Sequence, residues 1–174
     1  MRMRGWTGTI LAVVLAIAAA APLITTGTAD AQATSTEVLA GYLDRMELAW
    51  RRAEKDPNLL TVTKTAGLQR AERVELYIYN DPKNAVVDLL VYPRVGGQYL
   101  RMAAVSDRAG LMRRMLEENE NAFGAYFIDT EGDIGFKFVF STEAGIGYDA
   151  FKAVVGELLR IADDPVVRLV TSFR

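Results

Sequence analysis

Apolar residues follow three different patterns along this chain. Residues 10–21 form one unbroken apolar run, preceded by Arg2 and Arg4 and broken by Pro22. Farther on, apolar positions recur at steps of three and four, the period of an amphipathic helix. Leu39, Tyr42, Leu43, Met46, Trp50 and Ala53 predict a helix over about 36–54, with capping-box spacing at Thr34 and Glu37 and a stop at Asp56-Pro57. Leu111, Met112, Met115 and Leu116 predict the buried edge of a second helix, about 108–120, capped by Ser106-Asp107. Phe151, Val154, Val155, Leu158, Leu159 and Ala162 predict a third, about 148–162, ended by Asp163-Asp164-Pro165.

Between these helices the period changes to two. Residues 59–65 are short and β-branched. Residues 73–80 alternate, with Val74, Leu76 and Ile78 on one face and Glu75, Tyr77 and Tyr79 on the other. With Asp81-Pro82-Lys83-Asn84 as the turn, Asn80 faces Ala85, Ile78 lies beside Val87 and Leu76 beside Leu89. A slip of one residue would put Ile78 beside Val86 and carry the tyrosines to the core face, so the apolar pattern favours this register. Gly96-Gly97 supplies a tight turn into a strand over 98–105. A further hairpin, 124–129 with 133–141, turns at Glu131-Gly132. That turn pairs Phe127 with Phe136 and Ala125 with Phe138 on one face, leaving Tyr126 and Lys137 on the other. The tail 166–173 is apolar and β-branched, compatible with an added strand or with a segment folded over the core. The order α-β-β-β-β-α-β-β-α with tight hairpins predicts an α+β domain, a mostly antiparallel sheet packed by three helices.

The first run has a different purpose. A positive start, a twelve-residue apolar stretch and small residues at Ala31-Gln32-Ala33 (or at Ala29-Asp30-Ala31) are the parts of a cleavable signal peptide. As a helix the run would span only about 18 Å, short of a hydrocarbon core of roughly 30 Å. The expected organisation is therefore a signal peptide over 1–33 and one domain over 34–174. Its expected location is periplasmic or secreted, with no stable membrane insertion after cleavage.

Composition narrows the chemistry. The chain has no cysteine and no histidine. Disulfides, thiolate metal sites and a cysteine nucleophile are excluded, and with histidine go the most frequent general base near neutral pH and the commonest metal ligand. Residues 34–174 hold 18 basic and 21 acidic side chains, a formal charge of −3. That balance gives no net attraction to nucleic acid or anionic lipid.

Few clusters suggest a site. Asp129-Thr130-Glu131-Gly132-Asp133 reads as a hairpin turn rather than a calcium loop, since Gly stands fourth and apolar residues follow where ligands would be needed. Asp163-Asp164 reads as a helix stop, and Glu117, Glu118 and Glu120 as a solvated face. Gly145-Ile146-Gly147 lacks the rest of a phosphate-binding fingerprint. No catalytic, metal-binding or cofactor-binding residue emerges.

The segment Leu111-Met112-Arg113-Arg114-Met115-Leu116-Glu117-Glu118-Asn119, the strand and turn Gly124-Ala125-Tyr126-Phe127-Ile128-Asp129-Thr130-Glu131-Gly132-Asp133-Ile134, and the closing helix from Phe151 to Ala162-Asp163 resemble the YbjN family. The resemblance is carried mainly by residues 111–163. It implies the type III secretion chaperone-like fold and, by analogy with chaperones that hold extended partner segments, often as dimers, a protein-binding role without catalysis. The relatives implied by that fold are cytoplasmic, whereas this chain carries an export pattern.

The second face of the sheet is the candidate surface. Tyr77, Tyr79, Tyr92 and Tyr99 all point away from the aliphatic core, joined by Leu90 and Val86, where a one-sided sheet usually shows polar residues. The expected partner is a protein segment or a second copy of the chain. Two other classes remain: a small-molecule or lipid carrier with a pocket lined by Phe136, Phe138, Phe140 and Met102, and, last, an enzyme using carboxylates.

Overall fold

The computed structural model describes residues 34–120 and 122–174; the signal-peptide assignment to 1–33 lies outside the described residues. Helix α1 (Thr36–Arg45) is followed by strands β1 (Trp50–Arg52), β2 (Leu59–Lys64), β3 (Arg73–Asp81), β4 (Val86–Val95) and β5 (Gln98–Tyr99). Helix α2 (Arg108–Asn119), strands β6 (Ala125–Ile128) and β7 (Ile134–Ser141), helix α3 (Tyr148–Ile161) and helix α4 (Val167–Thr171) complete the domain. The strands form one antiparallel sheet in the order β1-β2-β3-β4-β7-β6, with β5 beside the end of β4.

One face of this sheet carries the core. Leu60, Val62, Val74, Leu76, Ile78, Val87, Leu89, Val91 and Phe136 pack against Leu39 and Leu43 of α1, Leu111 and Met115 of α2, and Phe151, Val155, Leu158 and Leu159 of α3. Only alternate strand residues enter it, so the apolar–polar period of β3 and β4 determines which side the helices cover.

Several local expectations give way to specific contacts. The first helix ends at Arg45 rather than near residue 54. Glu47 takes a φ of 55° and reverses the chain, and Trp50–Arg52 then pairs with β2, whose edge would otherwise be open. The Trp50 indole donates to Asp44 at 2.7 Å and locks this return. Ser35, not Thr34, caps the helix; Thr34 is buried, its hydroxyl accepting the Ile146 N–H at 2.9 Å and its carbonyl the Asn80 side-chain amide at 3.0 Å. The predicted fourth strand shrinks to Gln98–Tyr99, because the chain leaves the sheet through a short 3-10 turn at Met102–Ala104.

The β3–β4 loop spans residues 82–85 instead of 81–84, so Asp81 pairs with Val86, Ile78 with Leu89 and Leu76 with Val91. Asp81 caps the loop by accepting the N–H groups of Lys83 and Asn84. Each strand moves by one residue, which preserves every face. The β6–β7 hairpin differs more. Its register pairs Tyr126 with Phe136 and Phe127 with Gly135, one residue away from the expected pairing. Asp129 Oδ1 accepts the N–H groups of Glu131 and Asp133, and Gly132 takes a φ of 81°. This three-residue loop with a left-handed last residue replaces the two-residue turn and inverts the strand. Tyr126 therefore packs on the core and Phe127 joins the outer face.

The third helix also continues past its expected end. A π turn, Ala162–Val166, accommodates Pro165 and leads into α4, so the tail is helical rather than a strand. A wider turn tolerates a residue that has no N–H to donate. Within it Asp163 points inward and accepts the backbone N–H groups of Gln69, Arg70 and Ala71 at 2.7, 2.9 and 2.9 Å. Burial opposes its charge, but these three donors outweigh burial and hold the carboxyl below its ordinary value. On α2, Leu111 and Met115 are buried, whereas Met112 and Leu116, expected on the same edge, face outward.

A tyrosine and carboxylate cavity on the outer sheet face

The outer face is organised around a buried acid. Glu75 sits on β3 among the outward positions, yet it is only 8% exposed. Its carboxylate accepts hydrogen bonds from Tyr77 at 3.0 Å and from Tyr99, and it pairs with the Arg94 guanidinium at 3.1 Å. The Tyr77 and Tyr99 hydroxyls also meet, 3.1 Å apart. Burial pushes the Glu75 carboxyl up, but the two phenols and Arg94 more than offset it, so it ionises below its ordinary value. Burial, then the hydrogen bond with Tyr99 and the charge of Glu75, push the Tyr77 phenol up and keep it protonated.

Tyr92 links this group to the last hairpin. Its ring meets Tyr77 edge-on at 5.8 Å, Tyr99 at 5.7 Å and Phe127 at 5.4 Å. Gly135 makes that packing possible. A Cβ there would stand 2.7 Å from the Val91 carbonyl oxygen, 3.0 Å from the Phe127 ring and 3.1 Å from that of Tyr92. A glycine inside a strand marks such a close approach. Burial, followed by the charge of Asp129 and then of Asp133, pushes the Tyr92 phenol up.

Tyr77, Tyr92, Tyr99 and Leu90 line an open cavity of about 280 Å³, closed on its other side by Asp129, Thr130, Glu131 and Asp133. Four of the six residues singled out in the sequence thus come together, whereas Val86, at the start of β4 opposite Asp81, lies outside the cavity. Tyr79 does not join them either: it shares the face, beside Asp88 and Leu59, but stands apart from the cavity. The carboxylate wall was not anticipated, because residues 129–133 read as a turn and nothing in their spacing shows which strand they face. Gly135 and the outward Glu75 were the sequence signals available for it.

A second, larger groove of about 600 Å³ lies on the helical side, among Arg114, Tyr126, Phe136, Arg160, Arg168 and neighbouring residues. Each of its arginines is already paired: Arg114 with Glu118 at 2.5 Å, Arg160 with Glu157 at 2.5 Å and Arg168 with Asp164 at 3.6 Å. Of the residues proposed for a carrier pocket, Phe136 reaches this groove; Phe138 and Phe140 instead stack in a row with Phe123, and Met102 packs against the core. Among the described residues no group of three or more carboxylates is placed to hold a metal ion.

A scan against protein-family models and a search of curated proteins both return no match. Among solved structures the chain is similar to one in the crystal structure of the ExsC–ExsE complex, at a TM-score of 0.56 and 15% identity, covering 78% of this chain and 92% of that one. The fold is thus α+β and type III secretion chaperone-like, with a mostly antiparallel sheet and helices packed on one side.

Proposed function

We propose that this chain is an exported, non-enzymatic protein-interaction module, YbjN-like, that holds a segment of another protein on the outer face of its sheet. The observation that carries this reading is the outer cluster. Tyr77, Tyr92 and Tyr99 are half-buried and fixed by Glu75 and by one another, outside the core, and among the described residues no helix lines their cavity. Surfaces of amphipathic aromatics held in place before binding lose little entropy on association. The fold agrees, since the similar chain was crystallised in a complex. Export rests on the pattern of residues 1–33, and the location follows from it: periplasm or medium.

The test is a photo-reactive residue placed at Leu90, inside the cavity, and separately at Arg113, exposed on α2. A discrete protein adduct from Leu90 but not from Arg113 supports the reading, and an adduct of twice the chain's mass identifies the partner as a second copy. Equal labelling at both positions, or a stoichiometric small molecule retained in native mass spectrometry, defeats it in favour of a carrier. Fractionation tests export: the full-length species persisting in the cytoplasm would overturn that part.

A further inference from the structure

The geometry points to a more specific occupant: we propose that the outer cavity receives the guanidinium or ammonium group of an arginine or lysine side chain presented by the partner segment. This rests on the reading that the outer face holds a protein segment.

Three features of the cavity select a cation. Its walls include three phenol rings, and the face of such a ring attracts positive charge. The Tyr77 and Tyr99 hydroxyls donate into Glu75, which holds both rings and is not itself among the residues lining the cavity. The opposite wall carries Asp129, Glu131 and Asp133, and among the described residues no basic side chain lines the space. Arg101 pairs with Asp133 at 2.6 Å and Arg94 with Glu75, so among the described residues Asp129 and Glu131 line the cavity without an ion-pair partner, one Asp129 oxygen being held by the N–H groups of Glu131 and Asp133. An anion or an acyl chain would meet these carboxylates unfavourably.

Size and chemistry narrow the occupant further. About 280 Å³ falls just under the roughly 300–1,000 Å³ usual for whole small-molecule ligands, and suits one side chain entering through the open mouth. A guanidinium combines stacking on tyrosine with paired hydrogen bonds to carboxylate. The protein already uses that combination next door: Arg94 lies 4.0 Å over the Tyr99 ring while pairing with Glu75. The excess of acidic residues over 34–174 favours a basic segment over an acidic one.

The test uses four neutral-backbone probes, the N-acetyl amides of arginine, lysine, citrulline and norleucine, titrated while ring signals of Tyr77, Tyr92 and Tyr99 are followed by NMR. The arginine and lysine probes should shift these signals saturably, with citrulline and norleucine weaker by roughly tenfold. D129N/E131Q should weaken the charged probes by a similar factor and leave the neutral ones unchanged. Asn at 129 keeps the oxygen that accepts the turn's N–H groups, and an unchanged melting temperature confirms that the hairpin is intact. Equal binding of citrulline and arginine, no saturable shift at the three rings, or full binding by D129N/E131Q would each overturn the proposal. If a protein crosslinks at Leu90 while the charged probes fail, this inference falls alone; if the probes bind and no protein crosslinks, the interaction reading falls and takes the partner segment with it, leaving a cavity that prefers free cations.

Discussion

The two faces of the sheet use the same strands for opposite ends. On the inner face, Leu76, Ile78, Leu89 and Val91 are fully buried, and their partners are aliphatic and aromatic side chains from three helices. On the outer face, one residue along in each strand, Glu75, Tyr77 and Tyr92 form a cluster joined by hydrogen bonds and ring contacts instead of by close packing alone. The inner face is specified by volume and the outer by polar geometry. Burying a charge is costly until it is paired, and Glu75 is satisfied there by two phenols and a guanidinium. The difference sets a polar network on the outer face against aliphatic packing on the inner one.

Stability measurements can break that comparison. The largest effect should come from the inner face. Leu89→Ala removes a fully buried side chain between β3 and β7 and should cost about 2–5 kcal/mol in chemical denaturation. It should leave binding of arginine amide to the folded fraction unchanged. A cost below about 1 kcal/mol would mean that the inner face is not the principal core.

Glu75→Gln should come next, at about 1.5–3 kcal/mol, because an amide that keeps both phenols on its oxygen turns its NH2, a donor, toward the Arg94 guanidinium. Its pH signature separates it from the core variant. The folded-state value of Glu75 lies below its ordinary 4.5, so the stabilisation is complete above that pH and is lost as the pH falls through the folded value. Asp163 acts in the same direction from its ordinary 3.8. The protein should lose stability on acidification below about pH 4.5, and Glu75→Gln should flatten part of that slope while Leu89→Ala preserves it. A slope unaltered in Glu75→Gln would remove Glu75 as the organiser of the outer face.

The same contrast explains what the sequence could reveal. In β3 and β4 one face is uniformly aliphatic, so a register inverting the faces would expose Val, Leu and Ile together; the faces were legible even though the loop lies one residue further along than its composition suggested. β7 carries its aromatics, Phe136, Phe138 and Phe140, on one parity, but in β6 both parities are aromatic, Tyr126 on one and Phe127 on the other. Alternation has no preference there, and the register is decided by how Asp129 folds the turn around Gly132. The first helix shows a similar ambiguity. Trp50 continues the helical stripe and also suits a strand opposite Val62, and a left-handed residue at Glu47 settles the matter. Four residues of the cavity were therefore visible as a tyrosine-rich face, whereas its carboxylate wall depends on a register that local pattern leaves open.

The smallest expected effect tests how local the cluster is. Tyr79 shares strand, face and residue type with Tyr77, so a face that worked by tyrosine content alone would use both. Yet among the described residues the Tyr79 side chain takes part in none of the cluster's hydrogen bonds or ring pairs and does not line the cavity. Tyr79→Thr keeps a β-branched strand former in place and should change stability by no more than about 0.5 kcal/mol. It should leave the titration with arginine amide unaltered, whereas Tyr92→Leu, at the junction of Tyr77, Tyr99 and Phe127, should abolish it. Equal losses from the two changes would show that recognition is spread over the whole face, with no site at the meeting of three rings and a carboxylate wall. Unequal losses locate recognition where β3, β4 and the last hairpin converge and the three rings meet the carboxylate wall.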